Sequence, residues 1–169
     1  MCPGSDRANY KYVQLITGFG SRLIHISYAN SLVIHGELEE SLRYYRQALT
    51  INPRHASAYS NMGVAFLRLQ RYEDAIFCFK RALSLDRTLS TARRNLCEVF
   101  ADVLNDHQAA GLCWLELAAL EPVALIEAVS AFRNAHNYEL MINAYEAALN
   151  SSLIEESQKI LLRAIVNKT

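Results

Sequence analysis

The apolar and polar positions of this chain repeat along its length, with a period of about 34 residues. A shift of 34 superposes side chains of similar size, placing Tyr28 on Met62, Ala29 on Gly63 and Leu32 on Phe66. A second shift of the same length carries Met62 to Leu96, Gly63 to Cys97 and Phe66 to Phe100. Further along the shift becomes 35, because Phe79 then meets Trp114. Self-similarity at a fixed period of this length predicts a repeat architecture.

Within the clearest repeat, the apolar spacing predicts two helices. Residues 58–70 and residues 73–85 each have apolar side chains at helical spacing, with a turn between them. Small residues at Gly63, Ala75 and Ala82 predict that the two helices approach each other closely. Each repeat is therefore expected to be a pair of helices.

This pattern resembles the tetratricopeptide repeat family. The similarity is strongest at residues 61–63 (Asn-Met-Gly), 72–75 (Tyr-Glu-Asp-Ala) and 82–86 (Ala-Leu-Ser-Leu-Asp). Three repeats are recognisable and a fourth is degenerate; together they form a region of residues 22–150, divided at about 22–55, 56–89, 90–122 and 123–150. The resemblance implies an all-α fold, a right-handed superhelical solenoid of antiparallel helix pairs with flanking N- and C-terminal helices. In the third repeat Cys97 replaces the usual small residue, which predicts less regular packing there.

Two segments flank the repeats. Residues 1–21 are expected to be an N-terminal extension or lead-in helix, and residues 151–169 a C-terminal helix that caps the solenoid. The pattern from Ser152 to Glu155 predicts the start of that last helix as a capping box. Alternatively, this helix belongs to a further repeat and the chain is part of a longer protein.

The resemblance also implies a binding surface, because first helices line the concave groove in this family. Carried over by position, the peptide-binding residues are Asn30, Asn61, Val64, Arg68, Arg94, Asn95 and Glu98. Asn61 and Asn95 stand one repeat apart, which is similar to the asparagine ladder of O-linked N-acetylglucosamine transferases, although Ser27 replaces the first rung. An asparagine amide can donate to a peptide carbonyl and accept from a peptide N–H at once. The alternative is that these asparagines only support local structure.

The carboxylate clamp of chaperone-binding family members is only partly present. Asn30 and Asn61 match its asparagines, but Ile26, Thr91 and Asn95 stand where the resemblance requires cations. Without cations, little offsets the cost of desolvating a carboxylate. The sequence therefore disfavours binding of that chaperone tail.

Composition narrows the function classes further. The 169 residues are 51% hydrophobic and carry 17 basic and 17 acidic side chains. A net charge of zero removes the bulk electrostatic argument for nucleic acid or for an anionic membrane surface. The charge is nevertheless uneven, since residues 1–89 have 11 basic and 7 acidic side chains while residues 90–169 have 6 and 10. That polarity predicts oriented peptide binding or head-to-tail contact between copies.

Candidate chemistry is sparse. The five histidines lack the spacing of a metal site, and the sequence has no phosphate loop, nucleophile elbow or zinc-protease motif. The sequence therefore predicts no catalytic residue, no metal and no cofactor. The four cysteines have no Cys-x-x-Cys spacing, which disfavours a disulfide framework and favours a reducing compartment. Cys78 and Cys113 occupy equivalent second-helix positions and are expected to be packed thiols, with a redox pair of the two as the alternative.

The leading functional prediction is a non-enzymatic protein–protein interaction module, a scaffold or adaptor, that binds a peptide or partner segment in the concave groove. Two alternatives stay open: a secretion-type chaperone of this repeat family, and the substrate-presenting or regulatory region of a larger enzyme. We expect a protein or peptide partner, no nucleic acid, no membrane insertion, and a homo-oligomer formed through the end helices. The lack of a leader-like pattern and of a long apolar run favours a cytoplasmic location.

Overall fold

The computed structural model describes residues 20–166, and within that range it contains helices and no β-strand. The helices are α1 (Gly20–His35), α2 (Leu38–Ile51), α3 (Ala56–Arg68), α4 (Tyr72–Leu85), α5 (Ser90–Glu98), α6 (His107–Ala118), α7 (Ala124–Asn134), α8 (Tyr138–Asn150) and α9 (Glu156–Val166). A π-helical segment, Val99–Val103, continues α5. The predicted all-α class of paired helices is confirmed. The lead-in segment expected over residues 1–21 lies almost entirely outside the described residues.

The chain divides into two compact units, the first ending at Asp86 and the second beginning at Arg87. In the first unit α1 packs on α2, α3 packs on α4, and α2 also contacts α3. In the second unit α6 packs on α5 and α7, α7 packs on α8, and α9 contacts both α7 and α8. The repeat boundaries expected from the sequence stay a prediction.

The first helix of each pair ends in the same way. One or two residues after the helix, the backbone is left-handed, with φ of 84° at Gly36, 58° at Gln70, 52° at Asn105 and 55° at His136. The next backbone N–H then bonds back to a carbonyl of the last helical turn, as Arg71 does to Phe66 at 2.9 Å. This is the Schellman arrangement, which satisfies carbonyls that the helix itself leaves without partners. Gln70 lies 34 residues after Gly36, and Asn105 lies 35 residues after Gln70. These are the two shifts that superpose the apolar pattern.

The π-helical segment explains why the period lengthens by one residue. The backbone N–H of Leu104 bonds to the carbonyl of Val99 at 3.0 Å, a span of five residues rather than the four of an α-helix. At the end of the segment, the backbone N–H of Asp106 bonds to the carbonyl of Phe100, six residues earlier. The corresponding bond in the preceding repeat, from Arg71 to Phe66, spans five residues. The wider turn therefore absorbs one extra residue inside the third first helix.

Helices approach closely where a glycine faces an aromatic ring. A Cβ atom on Gly63 in α3 would lie 2.6 Å from Cε1 of Phe79 in α4, and one on Gly111 in α6 would lie 2.5 Å from Cε1 of Phe132 in α7. Both phenylalanine rings are fully buried. Backbone and ring therefore fill the interhelical space without a side chain between them.

One expectation about the cysteines is wrong. Cys97 in α5 and Cys113 in α6 form a disulfide, with 5.4 Å between their Cα atoms, so Cys113 is not a packed thiol. Cys78 is a free, buried thiol, as expected. The physical reason lies in the packing of α5 on α6, because Cys97 occupies the position of Gly63 and so faces the second helix of its own repeat. Beyond the π-helical segment the shift is 35, which places Cys113 on Cys78 and Trp114 on Phe79.

The last helix begins later than the capping pattern predicts. Helix α9 starts at Glu156, and Ser152 lies in the preceding turn, so Ser152 does not cap it. The side-chain oxygen of Gln158 instead accepts a hydrogen bond from the backbone N–H of Glu155 at 3.1 Å. Ile154 is buried just before the helix begins. Burial of this side chain therefore keeps residues 152–154 in a turn.

Candidate peptide-binding site

Two asparagines from neighbouring first helices meet in the first compact unit. The Nδ2 of Asn61 in α3 donates to Oδ1 of Asn30 in α1 at 2.9 Å. The hydroxyl of Tyr45 in α2 donates to the same oxygen at 2.6 Å. Burial raises the pKa of Tyr45 to about 12, so this hydroxyl stays neutral and available as a donor. The two donors fix the orientation of the Asn30 amide.

These residues line a small cavity of about 210 Å³. We call it the asparagine cavity; its lining is Asn30, Val33, Ile34, Tyr45, Asn61 and Val64. Its apolar part includes Ile34, of which 78% is exposed. Within the described residues, Nδ2 of Asn30 and Oδ1 of Asn61 have no hydrogen-bond partner. One donor and one acceptor therefore remain for an external group.

Arg68 has a structural contact at the end of this cavity. Its guanidinium donates to the backbone carbonyl of Val33 at 2.7 Å and so ties α3 to the last turn of α1. Carbonyls in a last turn have no partner within their own helix, so a cation there is favourable. The structure thus brings together four predicted binding residues, Asn30, Asn61, Val64 and Arg68, and gives Arg68 an internal partner.

A second cavity, of about 380 Å³, lies in the second compact unit. We call it the acidic cavity; its lining is Arg94, Glu98, Ala101, Asp102, His107, Trp114, Glu127, Ser130, Ala131 and Asn134. Ala101 and Asp102 belong to the π-helical segment. That segment therefore shapes the wall, consistent with the frequent occurrence of π-turns at functional sites.

The charges around the acidic cavity do not balance. Arg94 forms an ion pair with Glu121, and its guanidinium lies 5.9 Å from the ring centre of Trp114. Among the described residues, no hydrogen bond or salt bridge involves the carboxylates of Glu98, Asp102 and Glu127. Burial raises the pKa of Glu98, and Asp102 and Glu127 raise it further, while Arg94 lowers it. The cavity is therefore a region of uncompensated negative charge.

Asn95 stands apart from the other predicted binding residues of this unit. It lies on α5, half-buried, and it is not part of the lining of the acidic cavity. Within the described residues its amide makes no hydrogen bond. Arg94 and Glu98 are therefore brought together in one cavity, and Asn95 is not.

The sequence missed Tyr45 and Glu127 as contributors to these cavities. Tyr45 belongs to a second helix, and only the fold shows that its hydroxyl reaches Asn30 on the first helix. Glu127 belongs to α7, in the degenerate fourth repeat. Carrying the binding positions of the first helices over to the fourth repeat would have included Glu127.

Other kinds of site have no support in the described part of the chain. Between residues 20 and 166, no group of three or more His, Cys, Asp and Glu side chains is placed to hold a metal ion. No helix in the same range combines the length and apolarity needed to cross a membrane.

Helix pairs that recur at a fixed period, with cavities lined by successive first helices, define a helical-repeat protein. The model of the tetratricopeptide repeat matches residues 56–89, and a second TPR repeat model matches residues 29–70. The chain belongs to the tetratricopeptide repeat family.

Two relatives show how far the sequence similarity extends. An uncharacterized protein from Methanocaldococcus jannaschii is 35% identical over 60 residues, which are 36% of this chain and 70% of that protein. SPINDLY from Oryza sativa subsp. japonica, a probable UDP-N-acetylglucosamine–peptide N-acetylglucosaminyltransferase, is 34% identical over 59 residues. Those residues are 35% of this chain but 6% of the transferase. The similarity to this enzyme is therefore confined to a small part of it.

Two solved structures share the fold. MamA superposes with a TM-score of 0.69 at 17% identity, over 85% of this chain and 84% of MamA. The first TPR of Spaghetti (RPAP3), bound to the HSP90 peptide SRMEEVD, superposes with a TM-score of 0.60 at 17% identity. That match covers 70% of this chain and 95% of the RPAP3 domain. The fold is thus one that a known peptide-binding domain also has.

Proposed function

We propose that this protein is a non-enzymatic interaction module that binds an extended peptide along its first helices. The observation that carries the proposal is the asparagine cavity, where Asn30 and Asn61 bond to each other and still leave one donor and one acceptor. A peptide main chain needs both, because each residue presents an N–H and a carbonyl. The Oδ1 of Asn61 accepts the peptide N–H and the Nδ2 of Asn30 donates to a peptide carbonyl.

The apolar half of the same cavity receives a peptide side chain. Val33, Val64 and the exposed Ile34 form its walls. Covering this apolar surface contributes to affinity in proportion to its area. Main-chain hydrogen bonds with one apolar side chain make this part of the site tolerant of sequence.

The acidic cavity of the second compact unit has a charge selectivity of its own. Glu98, Asp102 and Glu127 face the acidic cavity, whereas Arg94 is already paired with Glu121. A lysine or arginine of the ligand compensates this charge and gains charge-assisted hydrogen bonds. A peptide that binds in this cavity is therefore basic there, unlike the acidic HSP90 peptide SRMEEVD that is bound to the RPAP3 domain.

The test uses an array of short peptides with randomised flanks and a central Lys, beside a matched array with a central Glu. Asn61→Ala is expected to weaken binding about fivefold to tenfold, the equivalent of one hydrogen bond. Asn143→Ala changes an exposed asparagine of α8 and serves as the control. Equal affinities of the Asn61→Ala variant and the wild type, both correctly folded, would remove the asparagine cavity from the site.

Selectivity is tested on the same arrays with the Glu98→Gln, Asp102→Asn double variant. It is expected to lose its preference for central Lys over central Glu, while Glu146→Gln on the exposed face of α8 keeps it. A wild-type protein without that preference would contradict the charge assignment.

A second candidate is the substrate-presenting region of a larger enzyme, which the 59-residue similarity to SPINDLY favours. The parent transcript decides it, because an open reading frame that continues into a catalytic domain supports this function. A reading frame that ends at Thr169 without such a domain excludes it.

A cytoplasmic location and self-association through the end helices complete the proposal. Helix α9 leaves Ile160 and Leu161 exposed, which supports contact between copies. Sedimentation at two protein concentrations tests this, and Leu161→Glu is expected to abolish any dimer. A dimer unaffected by that substitution would place the contact elsewhere.

A further inference from the structure

The Cys97–Cys113 disulfide is directly connected to the acidic cavity. Glu98 follows Cys97 and Trp114 follows Cys113 in the chain, and both Glu98 and Trp114 line the cavity. We propose that this bond is a redox control of the cavity: the disulfide holds Glu98 and Trp114 in the binding arrangement, and reduction by a small thiol releases them. The proposal rests on the proposed function for its biological meaning, but its structural part is independent of any peptide.

Cys97 takes the position of the glycine that packs against a ring in the preceding repeat, and the equivalent of that ring is Trp114, the neighbour of Cys113 in the chain. Gly63 and Phe79 hold α3 against α4 because no side chain separates backbone from ring. At the position one period later, Cys97 has a side chain, and close approach of α5 and α6 depends on the covalent bond. Without the bond, two sulfur atoms must separate to van der Waals distance in a site where Cys97 is fully buried.

The chain next to Cys97 includes the π-helical segment. The π-helical segment begins two residues later, and it supplies Ala101 and Asp102 to the cavity wall. Its hydrogen bonds have a wider span than those of an α-helix, and π-turns occur mostly as single turns, frequently at functional sites. A shift of α5 away from α6 therefore displaces Glu98 and Asp102 together.

The chemistry is ordinary thiol–disulfide exchange. A thiolate of a small thiol such as glutathione attacks the sulfur of Cys113, which is 8% exposed, and the S–S electron pair leaves with Cys97, which takes up a proton. A second thiol resolves the mixed disulfide, so that two thiols become one small-molecule disulfide and the protein gains two hydrogen atoms. The reduced Cys113 then has an acceptor, the carbonyl of Arg93, 3.7 Å from its sulfur.

If the protein is cytoplasmic, as proposed above, a regulatory role is expected for this disulfide. Disulfides in a reducing compartment are usually transient and catalytic or redox-sensing, because glutathione keeps most thiols reduced. Cys78 offers an internal contrast, since it is a buried free thiol with no disulfide partner among the described residues. The pKa of its thiol is raised to about 12, chiefly by burial.

The experiment uses the whole chain and its single tryptophan, Trp114. Mass spectrometry first establishes the Cys97–Cys113 bond in oxidised protein and the gain of two hydrogens with dithiothreitol. Quenching of Trp114 fluorescence by acrylamide is then measured in both states. We expect the quenching constant to rise by about twofold on reduction, as local opening exposes the ring, and to return after reoxidation with oxidised glutathione.

Two variants test whether the response to reductant comes from the Cys97–Cys113 bond. Cys78→Ser must retain the response to reductant, and the Cys97→Ser, Cys113→Ser double variant must show the reduced quenching constant without responding to reductant. If the double variant does not fold, the reversible change in Cys78→Ser still carries the test. An oxidised chain without the bond, or equal quenching constants in the two states, overturns the proposal.

A peptide arm separates this proposal from the proposed function. Central-Lys peptides that bind the oxidised protein are expected to bind the reduced protein more weakly, while central-Glu peptides show no such change. If quenching responds to reductant but no peptide binds, the redox device stands and the peptide-binding function fails. If peptides bind equally in both states, control of binding by the disulfide is refuted while the peptide-binding function stands.

Discussion

Asn30 of α1 accepts hydrogen bonds from both Asn61 and Tyr45 on a single oxygen, at 2.9 and 2.6 Å. One amide thus joins the first helices of two repeats to the second helix of its own repeat. The same amide orients the donor and acceptor that we assign to peptide binding. The side chains that stabilise this contact are thus the same ones to which we assign peptide binding.

Removal of the Asn30 amide is expected to cost more stability than removal of the Tyr45 hydroxyl. Asn30→Ala leaves a hydroxyl on a tyrosine that is 1% exposed without an acceptor, a penalty of about 1–3 kcal/mol. Tyr45→Phe leaves Asn30 still paired with Asn61 and costs about 0.5–1.5 kcal/mol. Urea denaturation measures both free energies of unfolding.

The double variant Asn30→Ala, Tyr45→Phe provides the control for this prediction. It removes donor and acceptor together, so its cost is expected to be smaller than the sum of the two single costs. Strict additivity would show that the hydrogen bond between Tyr45 and Asn30 contributes nothing.

Substitution of Gly63 by alanine is expected to destabilise the protein although alanine favours helices. The added methyl group would lie 2.6 Å from the fully buried ring of Phe79, and such overpacking costs about 1–3 kcal/mol. Thermal unfolding followed by circular dichroism measures the loss. Ser57→Ala, an exposed change in the same helix, is the control, and restored stability in Gly63→Ala, Phe79→Leu would identify the ring as the cause. An unchanged or increased melting temperature in Gly63→Ala alone would contradict the close approach of α3 and α4.

Reduction of the disulfide is expected to lower the free energy of unfolding by about 3 kcal/mol. The sequence separation of the two cysteines is 16, and a cross-link closing a loop of about 15 residues contributes roughly that amount by restricting the unfolded chain. Urea unfolding with and without dithiothreitol measures the difference. Cys78→Ala must show the same difference, because that cysteine is outside the bond. A difference near zero would mean that the bond does not form in solution.

Glu98 is expected to make stability fall as the pH rises. Its folded pKa is raised above the unfolded value, mainly by burial, so the folded state binds more protons between the two values. Stability is therefore lost as the pH increases from the unfolded pKa through the folded pKa. Arg94, Asp102, His107 and Glu127 also line the cavity, so the comparison must isolate the single carboxyl.

The comparison is between the wild type and Glu98→Gln, with urea midpoints measured from mildly acidic to neutral pH. The variant is expected to gain stability relative to the wild type above the folded pKa, and the difference should shrink as the pH falls. Glu146→Gln, which changes an exposed carboxyl on α8, should show no such trend. A gain from Glu98→Gln that is constant across this range would assign it to something other than titration.

The helix pairs could be predicted because the information for them is local. Apolar residues at helical spacing and small residues such as Gly63 recur with the period of the repeat, and the left-handed residues after the first helices follow the same pattern. The change of shift from 34 to 35 also indicated an inserted residue. Its form, a π-helical turn at Val99–Val103, could not be predicted because hydrogen-bond spans of four and five residues share nearly the same sequence pattern.

The two cavities depended on contacts that no local pattern encodes. Arg68 was predicted to face a ligand, yet the acceptor it bonds to is the carbonyl of Val33, in the preceding repeat. The disulfide was discounted because short cysteine motifs were absent, and the equivalent of Cys113 in the preceding repeat, Cys78, is a free thiol.

The amino-acid sequence alone therefore determined the family, the helix pairs and the positions on the first helices, because all of these follow from periodicity along the chain. Only the tertiary structure decided that Asn61 bonds to Asn30, that Arg94 is neutralised by Glu121 and that Cys97 joins Cys113. The physical reason is distance across helices. A hydrogen bond, an ion pair or a disulfide forms between atoms within a few ångströms, and for residues on different helices that separation is set by how the helices pack.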